Sequence, residues 1–313
     1  MLQGIHHITA IASDPIRNLR FYIDVLGQRM IKKTVNFDDP ETYHTYFGDY
    51  VGTPGTLITF FPHPRSRPSR HGAGEVSRTI YSAPVGSIGY WVDRLKKFGI
   101  EASIDEANAR VDFSDHDDMR LAIVEAGDAL TTSMWSESSV DPKHALNGFD
   151  GIEIDVASIE PTAKFLTDVL GFKHHKVLTG PHFFTLKEGR GHQRLWVRET
   201  PGVQMARLGA GAVHHVAWRV ADDSAHLAMR EKIERAGAHP TEVIERDYFR
   251  SIYFREPGGT IFEIATDGPG FAIDESVEKF AQTLRMPARY ESHRKEIEAG
   301  LMPITNDMLK PER

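Results

Sequence analysis

The chain has no cysteine. Disulfides, thiolate nucleophiles, thiolate-held zinc and iron–sulfur clusters are therefore excluded. No run of about eighteen apolar residues occurs, so no membrane span is expected. The opening Leu2-Gln3-Gly4-Ile5-His6-His7 lacks the basic and apolar regions of a secretory signal, which predicts a cytoplasmic protein. An excess of positive charge is missing too. Net charge is -7, from 37 Lys and Arg against 44 Asp and Glu. That balance argues against nucleic acid as a partner, because phosphate binding calls for a basic face. What remains is an ordinary globular composition, 40% hydrophobic and 26% charged over 313 residues. Such a length suits about two domains. Histidine is abundant, with sixteen copies, and it is the commonest metal ligand.

Internal repeats organise the chain. Phe21-Tyr22-Ile23-Asp24-Val25-Leu26-Gly27 recurs as Phe165-Leu166-Thr167-Asp168-Val169-Leu170-Gly171. His6-His7-Ile8-Thr9-Ala10-Ile11-Ala12-Ser13-Asp14 recurs as His214-His215-Val216-Ala217-Trp218-Arg219-Val220-Ala221-Asp222. A third echo sets Trp91 to Gly99 against Met229 to Gly237. Each unit reads as a strand, a polar turn, an amphipathic helix ending in Gly, and further strands. In the first, Ile8, Ala10 and Ala12 alternate with Thr9, Ile11 and Ser13, as a half-buried strand does. Asp14-Pro15 starts a helix whose stripe is Leu19, Tyr22, Ile23 and Leu26, and Gly27 caps it. Four βαβββ units follow, at about 4–62, 77–135, 147–198 and 211–268. Pro62 to Gly74 reads as a loop, and Ser136 to Asn147 as the boundary between halves.

This pattern resembles the vicinal oxygen chelate (glyoxalase/bleomycin-resistance/extradiol dioxygenase) superfamily over about residues 4–268. The telling pieces are His7…Asp14…Phe21-Tyr22…Leu26-Gly27 and Gly258-Gly259-Thr260-Ile261-Phe262-Glu263. The resemblance implies an α+β fold of four βαβββ modules, forming two cup-shaped mixed-sheet domains of glyoxalase/dioxygenase type. Residues 1–145 would carry modules one and two, residues 146–272 modules three and four, and residues 273–313 a C-terminal helical extension. The double-His openings and the length are similar to those of hydroquinone ring-cleaving dioxygenases. Such enzymes insert both atoms of O2 into a small aromatic diol.

A two-His, one-carboxylate triad leaves positions open on iron(II) for dioxygen and substrate. His7 and His215 hold equivalent places in two modules, and Glu263 lies in the last strand of the fourth. Alternation puts Ile261, Glu263 and Ala265 on one face. A carboxylate in such company is expensive to bury unless paired or metal-bound. The other modules carry no ligand there. The first repeat sets Gly151 opposite His7, the third sets Ser77 opposite His215, and the place of Glu263 in module one falls near Thr59. The expected ligands are therefore His7, His215 and Glu263, holding Fe(II), with Mn(II) the alternative that this ligand set also suits.

Further candidates surround them. The resemblance implies that His6 and His214 reach substrate oxygen or groups that support the ligands, with His6 a candidate base, although alternation turns them to the opposite face unless the strand is bulged. It also implies a phenol near the metal at Tyr253. Arg246 is a candidate to stabilise an oxyanion, against a surface ion-pair cluster with Glu245, Asp247 and Arg250. His44, Tyr46 and His182 are weaker candidates. His63, His71, His174, His175, His192 and His226 read as loop or surface residues. Competing readings are a catechol-type extradiol dioxygenase, a zinc or nickel isomerase or lyase of glyoxalase type, and a metal-free binding protein. Oligomeric state, a homo-oligomer included, is left open.

Overall fold

A computed structural model describes the chain except residues 128, 129, 131, 178, 187–191 and 313. The four βαβββ modules are all present. Module one runs β1 (Ile5–Ala12), α1 (Pro15–Arg20), β2 (Arg29–Val35), β3 (Tyr43–Gly48) and β4 (Leu57–Pro62). Module two runs β5 (Glu75–Ala83), α2 (Ile88–Lys97), β6 (Ala102–Asp105), β7 (Arg110–Ser114) and β8 (Arg120–Glu125). Module three runs β9 (Phe149–Val156), α3 (Ile159–Asp168), β10 (Lys173–His175), β11 (His182–Thr185) and β12 (Arg194–Glu199). Module four runs β13 (Val213–Val220), α4 (Asp223–Arg235), β14 (Ile244–Glu245), β15 (Arg250–Arg255) and β16 (Ile261–Thr266).

Local chemistry explains the first helix. Asp14 accepts hydrogen bonds from the backbone N–H groups of Ile16 and Arg17, and Pro15 stands where no N–H is needed. The helix then loosens into a π turn over Phe21–Val25 before Gly27, at φ 70°, reverses the chain. Leu19, Tyr22, Ile23 and Leu26 are all buried, as their spacing predicts.

The strands form two eight-stranded mixed sheets, in the orders β14-β15-β16-β13-β1-β4-β3-β2 and β10-β11-β12-β9-β5-β8-β7-β6. Each sheet therefore joins one module from each half of the sequence. Module one pairs with module four through β1 and β13, and module two with module three through β5 and β9. The division at residue 145 separates the repeats along the chain, but neither half builds a sheet of its own.

Residues 273–313 form the expected C-terminal helical extension. They hold one short helix, α5 (Arg294–Gly300), among 3-10 turns. This segment lies on its own chain along β2, the edge strand. Thr34 bridges Arg285, and Lys33 Nζ donates to the Ile304 carbonyl at 2.8 Å. Lys32 is wholly buried beneath it, with Nζ 2.6 Å from Glu275 Oε2 and 2.7 Å from Asp274 Oδ1. The extension so covers an edge that would otherwise present unpaired backbone groups.

Candidate metal centre

Register brings the three expected ligands together. Strands β16, β13 and β1 are adjacent, and His7 pairs with Ala217, which pairs with Glu263. The small Ala217 side chain leaves room between the two larger residues in that row. His215 lies two residues from Ala217 along β13, hence on the same face. His7 Nε2 is 3.3 Å from Glu263 Oε2, and His215 Nε2 is 3.0 Å from it. One ligand atom from each of the three lies within 4.8 Å of the others, and all three residues are buried. Among the described residues this is the one such cluster.

The chemistry of these atoms fits a divalent metal. His215 Nε2 and Glu263 Oε2 are buried without an aligned hydrogen bond, although they are close. Buried polar atoms rarely go unsatisfied, and a shared cation satisfies both. Ligands about 2.1 Å from a metal at adjacent octahedral positions lie about 3 Å apart, which matches these separations. Burial pushes the Glu263 carboxyl upward, but His7 and His215 outweigh it and hold the group well below the usual carboxylate range. Burial also lowers His215. An ionised carboxylate is the form that binds metal.

Two bulges set the orientation of the imidazoles. Opposite β13, strand β1 carries one extra residue, His6; opposite β1, strand β13 carries one extra residue, His214. Each bulge brings neighbouring rings together. His6 Nδ1 lies 2.9 Å from His7 Nδ1, and His214 Nδ1 lies 2.8 Å from His215 Nδ1. With Nδ1 so engaged, each ligand presents Nε2 to the centre. Ser251 holds the third ligand by donating to Glu263 Oε1.

A cavity of about 400 Å3 opens beside the three ligands, lined by His7, His214, His215, Arg246 and Tyr253. Phe37, Phe61 and Phe249 supply its apolar walls. The expected base His6 is not among the lining residues. It is buried against Phe249 and touches the centre through His7, so of the two bulge residues His214 is the one that meets the cavity. Burial, then His215, lowers His214 to about 3. Tyr253 sits on the neighbouring strand, paired with Glu263, its ring 5.3 Å from that of His215. Burial and Glu263 raise its phenol, which stays protonated as a donor. Arg246 points into the cavity, with Nε 3.3 Å from Tyr253 Oη and a guanidinium nitrogen 3.3 Å from Asp38. Within the cluster expected around Arg246, the ion pairs belong to Arg250, with Glu245 and Asp223.

Other expectations need correction. His226 is buried, and its Nε2 donates to the Ile264 carbonyl. His192 is buried as well. His182 lies in the other sheet beside His174, away from the centre. The residue of module two that matches His215 is Arg78, not Ser77, because the bulge in β5 falls at Ser77 as that in β13 falls at His214. His44 and Tyr46 do line the cavity, joined at 2.9 Å. Sequence reasoning missed Ser251, Phe249 and the loop carrying Phe37 and Asp38. Ser251 was within reach, since it alternates with Tyr253 on one strand.

The fold is matched by known proteins. The family model of the Glyoxalase/Bleomycin resistance protein/Dioxygenase superfamily covers residues 4–123 and 148–264. The chain belongs to that superfamily. It is 41% identical to a Bacillus subtilis protein named as ring-cleaving dioxygenase MhqO, over 96% of both chains. It is 31% identical to the chlorohydroquinone/hydroquinone 1,2-dioxygenase of Sphingobium indicum, over 95% of both. A crystal structure of a Bacillus subtilis protein described as a dioxygenase superposes with a TM-score of 0.92, at 40% identity over 99% of both chains. Within the superfamily the chain is a dioxygenase-type enzyme. No helix among the described residues is long and apolar enough to cross a membrane.

Proposed function

We propose that this enzyme is a non-haem iron(II)-dependent ring-cleaving dioxygenase acting on hydroquinone-type dihydroxybenzenes. The observation that carries the reading is the convergence of three buried ligand atoms beside an aromatic-walled cavity. Iron(II), held by His7, His215 and Glu263, would supply the chemistry of dioxygen and an open side for both reactants. The relative named for hydroquinone and chlorohydroquinone supports the substrate class.

The chain's own residues have definite parts. A benzene-sized ring fits a cavity of about 150 Å3, so the site has room for ring substituents within its approximately 400 Å3. Phe37, Phe61 and Phe249 orient the ring and exclude water. Tyr253 donates a hydrogen bond to a reactant oxygen. Arg246 stabilises the anion that develops as the ring opens, from a fixed position that needs no reorganisation. His214 faces the substrate, while His6 orients His7.

Oxygen uptake by anaerobically iron(II)-loaded protein, offered hydroquinones and catechols, tests the proposal. Uptake with hydroquinones is expected, and its loss in His215→Ala. Uptake with catechols alone would move the substrate class. Parallel loading with manganese(II) decides the metal. No uptake, with zinc or nickel bound tightly, would overturn the dioxygenase reading.

A further inference from the structure

The centre occupies a cup built from two equivalent modules, so each ligand position has a counterpart. In module four, Glu263 pairs laterally with Ala217 on one side and Tyr253 on the other. In module one, Thr59 pairs with Thr9 on one side and Tyr46 on the other. His7 and His215 are counterparts, and so therefore are Thr9 and Ala217, each two residues further on. Thr59 thus stands where symmetry would place a second carboxylate. The likeness extends one step outward. Ser251, two residues before Tyr253, donates to Glu263, and His44, two residues before Tyr46, bonds Thr59.

The corner at Thr59 is filled and tied. Thr59 is fully buried. Its Oγ1 lies 2.8 Å from Thr9 Oγ1 and 2.9 Å from His44 Nε2. Tyr46 Oη lies 2.9 Å from His44 Nδ1 and fixes that imidazole from behind. A phenol donating to Nδ1 leaves Nε2–H to donate to Thr59, whose own proton then serves Thr9. A neutral hydroxyl bound to two partners competes poorly with carboxylates and imidazoles for a divalent cation.

We propose that Thr59 occupies the fourth ligand corner of the cup, and that His44 and Thr9 hold its hydroxyl as a non-ligating cap. The protein then offers three ligands, and the side facing the cavity stays open. Thr59 and His44 are positioning residues, and the inference rests on the metal-centre reading above. Their effect is on the choice of chemistry, since a carboxylate at this corner would close the centre with a fourth ligand.

The test uses the full chain, stripped of metal, as parent, Thr59→Glu and Thr59→Asp. Each is titrated anaerobically with zinc(II) and iron(II). Affinity, metal-dependent rise in Tm and the ligand count from X-ray absorption at the bound metal are read. A carboxylate at the corner should tighten binding roughly tenfold or more, enlarge the metal-dependent rise in Tm, add one oxygen ligand and abolish oxygen uptake. Thr59→Asp, close to threonine in size, decides the matter should Thr59→Glu fail to fold. Parent-like affinity and ligand count in a folded carboxylate variant would overturn the inference alone. A parent that binds no metal would overturn the metal-centre reading and this inference with it.

Discussion

The two cups share a skeleton and differ in what fills it. Both sheets have the same strand order, both pair their central strands antiparallel, and both carry two bulges in that pairing. The bulge residues are His6 and His214 in one cup, Ser77 and Asp150 in the other. From the same registers, His7 corresponds to Arg78, His215 to Gly151, Glu263 to Trp196 and Thr59 to Ala122. A Cβ on Gly151 would collide with the Arg194 carbonyl oxygen and meet Trp196 at 2.8 Å, so backbone and indole together take the space that a ligand would need. Arg78 and Arg110 pair with Asp112 and Glu153 across the remaining surface. The bulged frame positions side chains in either cup; among the described residues, ligand atoms converge in one of them.

The sharpest way to break the comparison is to remove one residue from each equivalent corner. Glu263→Ala should empty the centre. Activity should fall by more than the ~10–100-fold that loss of an outer partner costs, and metal analysis should return no bound ion. Trp196→Ala should leave metal content and activity intact and lower stability by about 1–3 kcal/mol, read by denaturant titration. A loss of activity in Trp196→Ala matching that of Glu263→Ala would assign chemistry to the second cup.

Next in size are the groups that face the cavity without holding the metal. Tyr253→Phe and Arg246→Met should each lower kcat about 10²-fold, with metal content unchanged. Loss of metal in either variant would make them structural supports of Glu263 and His215 instead. The bulge residues come third. His6→Ala should weaken metal binding ~10-fold by freeing His7 Nδ1, whereas Ser77→Ala in the other cup should change neither affinity nor rate. Metal titration of the two variants checks the pair.

Much of this was legible in sequence because repeats expose position. The recurrence of His-His before Asp marked two equivalent strands, and Glu263 stood out as a carboxylate in an apolar strand. The modules were readable from strand and helix periods. What stayed hidden depends on backbone register. A bulge adds one residue without changing composition, so alternation alone could not decide where His6 and His214 point, and it shifted the module-two match of His215 by one, from Ser77 to Arg78. The ligand set His7, His215 and Glu263 already joined modules one and four, but the strand pairing of β1 with β13 that makes one sheet of them is long-range, and no local pattern encodes it. The hydroxyl chain at Thr59 required knowing that β1, β3 and β4 are neighbours.

The smallest effect concerns the seam between the cups. Asp115, in the turn between β7 and β8, is buried near Tyr22 of the other cup. Its carboxylate accepts the backbone N–H groups of Asp117 and Met119 through Oδ1. Burial pushes its pKa up to about 6, although His116 and the two backbone bonds pull it down. An unfolded aspartate titrates near 3.9. Between about pH 4 and pH 6 the folded protein therefore keeps a proton that the unfolded chain releases, and stability falls as pH rises through that window. The loss attributable to this group is on the order of 1–3 kcal/mol. Asp115→Asn keeps an oxygen for both backbone donors and removes the titration. The variant should gain on the parent from pH 4 to pH 7 in denaturant midpoints measured at constant m. Equal pH slopes for the two proteins would mean that the carboxylate is already ionised at the seam, stabilised there more strongly than its burial allows.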